Sequence, residues 1–205
     1  MIFAENTAAS FTEQLASSAA VPGGGGASAL VGSIGVALAS MVANLTTGKK
    51  KYAEFEQDIR RILDEADALR LELLRLIDSD AECFEPLSKA YAMDKNDPGF
   101  NELMQSALRR ACTAPMDIMD AAARAIALHE ELALKGSRLM LSDVGVGVLC
   151  CKTALMGASM NVLINLKSIT DEVYAMDLRN RMEELLDKYC ASADKTYNYV
   201  LERLK

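Results

Sequence analysis

An aspartate stands in this sequence at a position where a core residue is expected. Apolar residues recur at alternating steps of four and three along one stretch: Phe55, Ile59, Ile62, Ala66, Leu69, Leu73 and Leu76. This spacing predicts the buried stripe of an amphipathic helix. Its next steps fall on Asp80, Cys83 and Leu87. Burial raises the pKa of a carboxyl group, and a raised pKa suits a general acid–base catalyst at neutral pH. Asp80 is therefore a candidate catalytic residue, the alternative being a buried carboxylate with a structural hydrogen bond.

Two asparagines lie on one face of an apolar segment further along the chain. Asn161 and Asn165, in NVLINLKSI, are four residues apart, so a helix places their side chains next to each other. A buried amide without a partner costs about 1–3 kcal/mol. Asn165 can cap the following turn, whereas no local partner is evident for Asn161. The pair predicts either structural amides or recognition of a heterocycle with paired donors and acceptors.

Four consecutive glycines open a segment that is free of charge from Gln14 to Gly48 and is followed by Lys49, Lys50 and Lys51. The glycines match a GxGxxA spacing, but no strand precedes them, no acid lies about twenty residues on and no GK[ST] follows, which argues against a dinucleotide fingerprint and a P-loop. Glycines ahead of a helix either expose N–H groups to a ligand or allow close backbone packing. The three lysines are either a solvated turn or an anchor for an anion.

The only histidine and the five cysteines limit the other chemistry. A single histidine, His129, excludes a multi-histidine metal site, and its neighbours Glu130 and Glu131 predict a surface or half-buried structural residue. The cysteines are odd in number and lack CxxC spacing, which favours reduced, buried thiols in a cytoplasmic protein. The N-terminus has no basic region of a signal peptide.

The elements that must position these residues are helices. Ala, Leu and Met dominate, 5% of residues are aromatic, and no strand alternation or repeat is present. The sequence predicts an all-α, single-domain antiparallel bundle over residues 1–205 with two apolar buried helices. Six helices are predicted: 7–17, 26–46, 55 to past 87, 98–134, 142–165, and 170 to the end. The third is expected to bend near Pro86, and the fourth to bend at Pro115 and to end at Gly136. Ser142 is expected to cap the fifth.

Charge and residue size bear on the partners. The net charge of −7 argues against nucleic acid and anionic lipid as main partners. The segment 27–45 is nearly long enough to span a bilayer, but its many small residues favour a buried core helix. Ser28, Gly32, Gly35 and Ala39 recur at steps of three and four, and they predict a smooth groove for close helix or subunit packing.

Five motifs, in this order, resemble the formiminotetrahydrofolate cyclodeaminase family over nearly the whole chain: PGGGGASAL, SMVANLTTGKKKY, IDSDAECF, LSDVGVG and NVLINLKSITDE. That family includes the C-terminal domain of formiminotransferase-cyclodeaminase and free-standing bacterial methenyltetrahydrofolate cyclohydrolases. The resemblance implies an all-α, cytoplasmic, dimeric and metal-free enzyme. It also implies tetrahydrofolate derivatives, with or without a polyglutamate tail, as substrate, and no further cofactor.

The same resemblance implies roles for individual residues. Asp80, the second aspartate of the DxDAxxF motif, would be catalytic. The substrate would bind near a set taken from the other motifs: Pro22, Gly23, Gly24, Gly25, Asn44, Lys49, Lys50, Lys51, Asp143, Asn161 and Asn165. The chain departs from the family pattern in its short DKNDPG turn, which bears on substrate access, and in Gly26, where serine is common.

Three functions follow as hypotheses. The first is cyclisation of 5-formiminotetrahydrofolate to 5,10-methenyltetrahydrofolate with release of ammonia, with Asp80 as general acid and base. The second is hydrolysis of 5,10-methenyltetrahydrofolate to 10-formyltetrahydrofolate at the same site. The third is a non-catalytic helical protein for self-association or partner binding, which explains the small-residue groove but not an aspartate on the core stripe.

Overall fold

The computed structural model describes residues 2–205, which contain seven α-helices and no β-strand. The helices are α1 (Ala8–Leu15), α2 (Gly24–Asn44), α3 (Glu56–Tyr91), α4 (Phe100–Ala111), α5 (Thr113–Lys135), α6 (Leu141–Leu166) and α7 (Glu172–Leu204). Short 3-10 helices lie at Phe3–Glu5, Lys50–Phe55 and Arg138–Met140. Buried side chains from all seven α-helices form one hydrophobic core. The predicted all-α class is confirmed.

Helices α2 and α6 pack antiparallel at the centre of the bundle. Gly24 at the start of α2 lies against Asn161 near the end of α6, and Gly35 lies against Cys151. A Cβ atom on Gly35 would stand 2.7 Å from the Cys151 Sγ and 2.8 Å from the Gly147 carbonyl oxygen. The two backbones therefore approach through the small residues that the sequence singled out. Helix α3 packs on α2, α5 packs on α3 and α6, and α7 packs on α5 and α6.

The two apolar helices are less buried than the sequence predicts. By length and composition, Gly24–Asn44 and Arg138–Leu166 are apolar enough to cross a membrane, and 61% and 44% of their most apolar windows are buried inside the bundle. Each helix packs its inner face and leaves its outer face uncovered. We define the apolar face by its exposed members on both helices: Ile34, Met41, Val146, Leu149, Met156, Met160 and Ile164.

Helix α3 confirms the apolar stripe that the spacing predicts. Ile59, Ile62, Leu69, Leu73 and Leu76 are all buried. The helix continues through Pro86 to Tyr91 without a break.

Asp78, two residues before Asp80, lies on the other side of α3 from the stripe and contacts the N-terminal segment. Its Oδ1 accepts a hydrogen bond of 2.6 Å from the Phe3 N–H, and Oδ2 accepts one of 3.4 Å from the Ala4 N–H. The first aspartate of the motif thus fastens the N-terminal segment to α3.

The predicted fourth helix is two helices, separated at Cys112. Pro115 lies in the first turn of α5 and has no N–H to close a helical bond to the Ala111 carbonyl. The side chain of Asn165 donates to that carbonyl instead, at 3.2 Å. The predicted cap of the next helix is also wrong, because Ser142 lies inside α6 and no side chain caps its first residue.

The expectation that His129 lies at the surface or half-buried is wrong, since it is fully buried. Its Nδ1 lies 2.9 Å from the Ala125 carbonyl oxygen. A Cβ atom on Gly147 would lie 2.1 Å from its Nε2. The glutamates beside it in sequence point outward, while glycine on α6 leaves the space for an imidazole ring between helices.

Candidate active site

Asp80 lines a cavity of about 200 Å³ between the start of α2, the middle of α3, the α4–α5 junction and the end of α6. Its wall is made by Ala20, Val21, Gly23, Gly24, Asp80, Phe84, Ala111, Pro115, Asn161, Ile164 and Asn165. Asp80 is the sole titratable side chain of this wall. The cavity therefore joins one carboxyl group, two amides and apolar surfaces.

The environment of Asp80 has the electrostatic character that the sequence predicts. Burial raises the pKa of the carboxyl group above its usual range, because the charged form loses hydration. The Gly26 N–H donates a hydrogen bond of 2.9 Å to Oδ2 and opposes part of that rise in pKa. The net rise moves the pKa of the carboxyl group in the direction that favours proton exchange with a substrate.

Gly25 is required for the position of Asp80. A Cβ atom on Gly25 would lie 2.1 Å from Oδ1 and 2.5 Å from Oδ2 of Asp80. The carboxyl group occupies the space that any other residue would fill. The glycine run therefore serves the site in two ways: Gly25 leaves room for the carboxyl group, and Gly26 supplies the N–H.

Asn161 and Asn165 both reach the cavity, but their hydrogen bonds differ from expectation. The Asn161 Nδ2 donates to the Gly157 carbonyl at 3.0 Å, so a local partner exists. The Asn165 Nδ2 donates to the Asn161 carbonyl at 3.0 Å and to Ala111, rather than capping the following turn. Within residues 2–205 no side chain or backbone donor reaches Oδ1 of Asn161, which leaves that oxygen for a ligand in the cavity.

The nearest thiol does not compete with Asp80 as a reactive group. Cys112 is buried beside Asn165, and burial raises the pKa of its thiol to about 11. A thiol with this pKa stays protonated at neutral pH and is a poor nucleophile. All five cysteines are free of disulfides.

The structure splits the predicted substrate-binding residues between two ends of the molecule. Gly23, Gly24, Asn161 and Asn165 line the Asp80 cavity, and Gly25 contacts Asp80. Pro22 is buried against Gly26 and does not line the cavity.

The remaining predicted residues lie at the far end of α2 and α6. Asn44 ends α2, whose 21 residues span about 30 Å. Lys49, Lys50 and Lys51 follow it and are exposed, and Asp143 lies in the first turn of α6. Because the two helices are antiparallel, all five residues are far from Asp80 within one chain.

Several lining residues escaped the sequence-based prediction. They are Ala20, Val21, Phe84, Ala111, Pro115 and Ile164. Two carried a usable signal: Phe84 is one helical turn after Asp80, and Ile164 is three residues after Asn161. The α4–α5 junction carried none, because only the tertiary packing brings it to α6.

The groove between α3 and α4 lacks the combination of a buried carboxyl group and two amides. This groove is more open, with a volume of about 550 Å³, and its single carboxylate, Glu102, is exposed. Among the described residues, no group of three or more His, Cys, Asp or Glu side chains is arranged to hold a metal ion.

The fold and the cavity together define an all-α protein with one titratable carboxyl group on the wall of a cavity that also carries two amides, and comparisons with known proteins identify its family. Residues 7–184 match the family model of formiminotransferase-cyclodeaminase. The chain therefore belongs to the formiminotransferase-cyclodeaminase family, and the resemblance that the motifs indicated is confirmed.

Three relatives show how far the similarity extends. The chain is 37% identical to a methenyltetrahydrofolate cyclohydrolase of Methylorubrum extorquens over 97% of both chains. It is 33% identical to the formimidoyltransferase-cyclodeaminase of Rattus norvegicus over 87% of this chain, a match that spans 34% of that relative. The crystal structure of a formiminotetrahydrofolate cyclodeaminase from Thermotoga maritima superposes with a TM-score of 0.84 at 34% identity, over 98% of this chain and 96% of that one.

Proposed function

We propose that this chain is a folate enzyme that acts on the one-carbon unit bridging N5 and N10 of tetrahydrofolate, and that it cyclises 5-formiminotetrahydrofolate. The observation that carries the proposal is a carboxyl group with a raised pKa in a cavity that also offers paired amides. The Thermotoga relative, which matches over nearly its whole length, bears the name of this activity. The enzyme would act in the cytoplasm and need no cofactor beyond its tetrahydrofolate substrate.

In the proposed cyclisation, N10 attacks the carbon of the protonated formimino group on N5. The tetrahedral adduct carries an extra proton on N10, which the Asp80 carboxylate accepts. Asp80 then donates this proton to the amino group of the adduct, which leaves as ammonia while the bridging carbon becomes the methenyl cation. The carboxylate is regenerated, and a raised pKa suits both transfers.

A second candidate is the cyclohydrolase reaction, which the 37% identity to the Methylorubrum relative over 97% of both chains favours. Here the Asp80 carboxylate takes a proton from water as the oxygen attacks the methenyl carbon. The proton passes to N5 when the C–N5 bond breaks, giving 10-formyltetrahydrofolate and a proton in solution. The two reactions pass through similar adducts, so the same cavity suits either.

The enzyme would work as a homodimer whose sites combine residues of both copies. Within one chain the lysines at 49–51 are about 30 Å from the cavity, the length of α2. A two-fold axis through the middle of the α2–α6 pair exchanges the two ends of this pair. Each copy would then place its Lys49–Lys51 segment near the Asp80 cavity of the other, where it can meet the substrate's carboxylates.

The exposed apolar face supports the proposal that a second copy of the chain packs against it. Helix α2 has no charged side chain, and the outward side chains of α6 include Val146 at 54%, Met160 at 58% and Ile164 at 61% exposure. A contiguous apolar patch on two adjacent helices is the usual mark of a protein interface. The apolar face lies between the two ends of the α2–α6 pair, which the dimer would bring together.

Two parallel assays with purified protein test the proposed function. One follows loss of the near-ultraviolet absorbance of 5,10-methenyltetrahydrofolate, and the other follows its formation from 5-formiminotetrahydrofolate. Turnover mainly in the second supports the cyclodeaminase, and turnover mainly in the first supports the cyclohydrolase. Silence in both, together with no folate binding, would leave the non-catalytic self-association protein as the function. Activity that persists in a chelator agrees with the absence of a metal cofactor.

A further inference from the structure

A second cavity, of about 250 Å³, lies at the far end of the molecule and is unrelated to Asp80 in the same chain. Residues of the Lys50–Phe55 segment, the α5–α6 connection and the end of α7 form its wall. Three cationic side chains line it: Lys51, Arg138 and Arg203. We call this the basic cleft.

The cations of the basic cleft lack acidic partners. No carboxylate of residues 2–205 forms a salt bridge with Lys51, Arg138 or Arg203, although nine other cations of the chain are so paired. One acid, the exposed Glu54, lies on the wall. In a chain with a net charge of −7, three unpaired cations on one concave surface create a local positive potential.

The side chains of the cleft are held in place by neighbouring groups. The guanidinium of Arg203 stacks on the Tyr199 ring at 3.3 Å from its centroid. The Tyr52 hydroxyl oxygen accepts a hydrogen bond of 2.9 Å from the Arg138 N–H, which ties the Lys50–Phe55 segment to the α5–α6 connection. The cleft therefore has fixed aromatic walls as well as charge.

The start of α6 adds to the positive potential. Leu141, its first residue, lines the cleft, and no side chain caps this helix. The Leu141 N–H donates to the Arg138 carbonyl of the preceding 3-10 turn, so the contribution of α6 is the dipole of its 26 residues, which favours an anion near this terminus. Three cations and the positive end of a helix thus converge on one cavity.

We propose that the basic cleft is a binding site for a small anion bearing carboxylate or phosphate groups, held by Arg138, Arg203 and Lys51. The cavity volume fits a single anionic group with a short apolar body against Tyr52 and Tyr199. Arginine binds carboxylate and phosphate through two parallel N–H donors, which makes it the fitting residue for this chemistry. The anion comes either from a chain of linked carboxylates or from free phosphate.

The test measures binding without folate, so it is independent of the proposed reaction. Inorganic phosphate is titrated into the intact protein at constant ionic strength, with chloride as the balancing anion, and backbone amide shifts are followed by NMR. We expect saturable shifts at Tyr52, Arg138 and Leu141. The double variant Arg138→Ala/Arg203→Ala should weaken binding about tenfold or more, while Arg179→Ala, an exposed cation on α7 without a salt bridge, should not.

A second titration, with a peptide of three glutamates, distinguishes the two possible sources of the anion. Displacement of phosphate by the peptide assigns the cleft to a carboxylate chain, and binding of phosphate alone assigns it to free phosphate. The proposal is overturned by shifts that do not saturate, or by equal affinity in the double variant and in Arg179→Ala. Circular dichroism of each variant shows whether the fold is kept.

Discussion

The Asp80 carboxylate occupies the space that a side chain on Gly25 would fill, and the Gly26 amide holds one of its oxygens. Its burial and its hydrogen bond act on the pKa in opposite directions, and burial is the larger effect. Two neighbouring glycines therefore determine where this carboxyl group lies and part of what sets its pKa.

Replacing Asp80 by asparagine tests its role as acid and base. The amide of Asp80→Asn has nearly the same shape and can still accept from the Gly26 N–H, so the fold should be kept. We expect turnover to fall by about 10²–10⁴. In the wild type, kcat/KM should rise with pH through a pKa above that of an ordinary aspartate, and this limb should disappear in the variant. Near-normal turnover in Asp80→Asn would remove Asp80 from the mechanism.

Gly25→Ala tests the steric fit. The added Cβ would lie 2.1 Å from Oδ1 of Asp80, so the carboxyl group must move. A displacement of about 1 Å costs on the order of 10² in rate, and we expect a loss of that size measured as kcat/KM. Gly99→Ala is the matched control, because its new Cβ would meet nothing closer than 3.4 Å. Equal activity in the two variants would contradict the geometry.

At the level of elements, the α4–α5 junction is joined to α6 by one amide. Pro115 deprives the Ala111 carbonyl of its helical partner, and Asn165 replaces that partner from another helix. The junction forms part of the cavity wall, so the same contact helps to shape the site.

Asn165→Ala should lower the free energy of unfolding by about 1–3 kcal/mol, because a buried carbonyl loses its donor. In a Pro115→Ala background the loss should be smaller, since the alanine introduced there has an N–H that can bond to the Ala111 carbonyl. Urea denaturation of the two single variants and the double variant measures this coupling. Additive effects would show that the amide does not replace the missing helical bond.

His129 lies where α2, α5 and α6 meet, and burial lowers its pKa from 6.5 to about 4. The unfolded chain binds a proton below pH 6.5, whereas the folded protein does not until about pH 4. Stability is thus fully present above pH 6.5 and falls as the pH is lowered towards 4, by about 3 kcal/mol in total. His129→Asn should flatten this dependence between pH 6.5 and 4 in urea denaturation. An unchanged slope in the variant would assign the acid sensitivity to other groups.

The sequence predicted the elements well because their signals are local. The stripe on α3 and the position of Asp80 follow from spacing within one helix, and the bounds of α2 and α6 differ from expectation by one or two residues. The burial of His129 was missed because Gly147, on another helix, provides its space. The gap between the two groups of predicted binding residues likewise depends on antiparallel packing, which no local pattern encodes.

At the level of the whole molecule, the apolar face and the distance between the two groups of predicted binding residues both favour the proposed homodimer. Val146→Glu places a charge on that face, and Val173→Glu places the same charge on α7, where the valine is 66% exposed. We expect Val146→Glu to convert a dimer into a monomer in light scattering and to abolish turnover, with no effect of Val173→Glu. A fully active Val146→Glu monomer would contradict the shared site.

Mixing two inactive variants tests the exchange of residues directly. Asp80→Asn keeps its lysines, and a variant with alanine at 49, 50 and 51 keeps its carboxyl group. If each site combines both copies, a mixed dimer contains one intact site and part of the activity returns. No recovery after subunit exchange would contradict a site that combines Asp80 of one copy with the lysines of the other.

The bond between Gly26 and Asp80 also provides a spectroscopic probe. An amide proton is sensitive to the charge of the oxygen that it contacts, and this contact measures 2.9 Å between nitrogen and Oδ2. Glycine amides occupy an uncrowded region of the nitrogen spectrum, and the chain has 12 of them. The resonance of Gly26 should therefore follow the titration of the carboxyl group in the resting protein, before any folate is added. The chemical shift of one backbone amide would then measure the protonation state of Asp80.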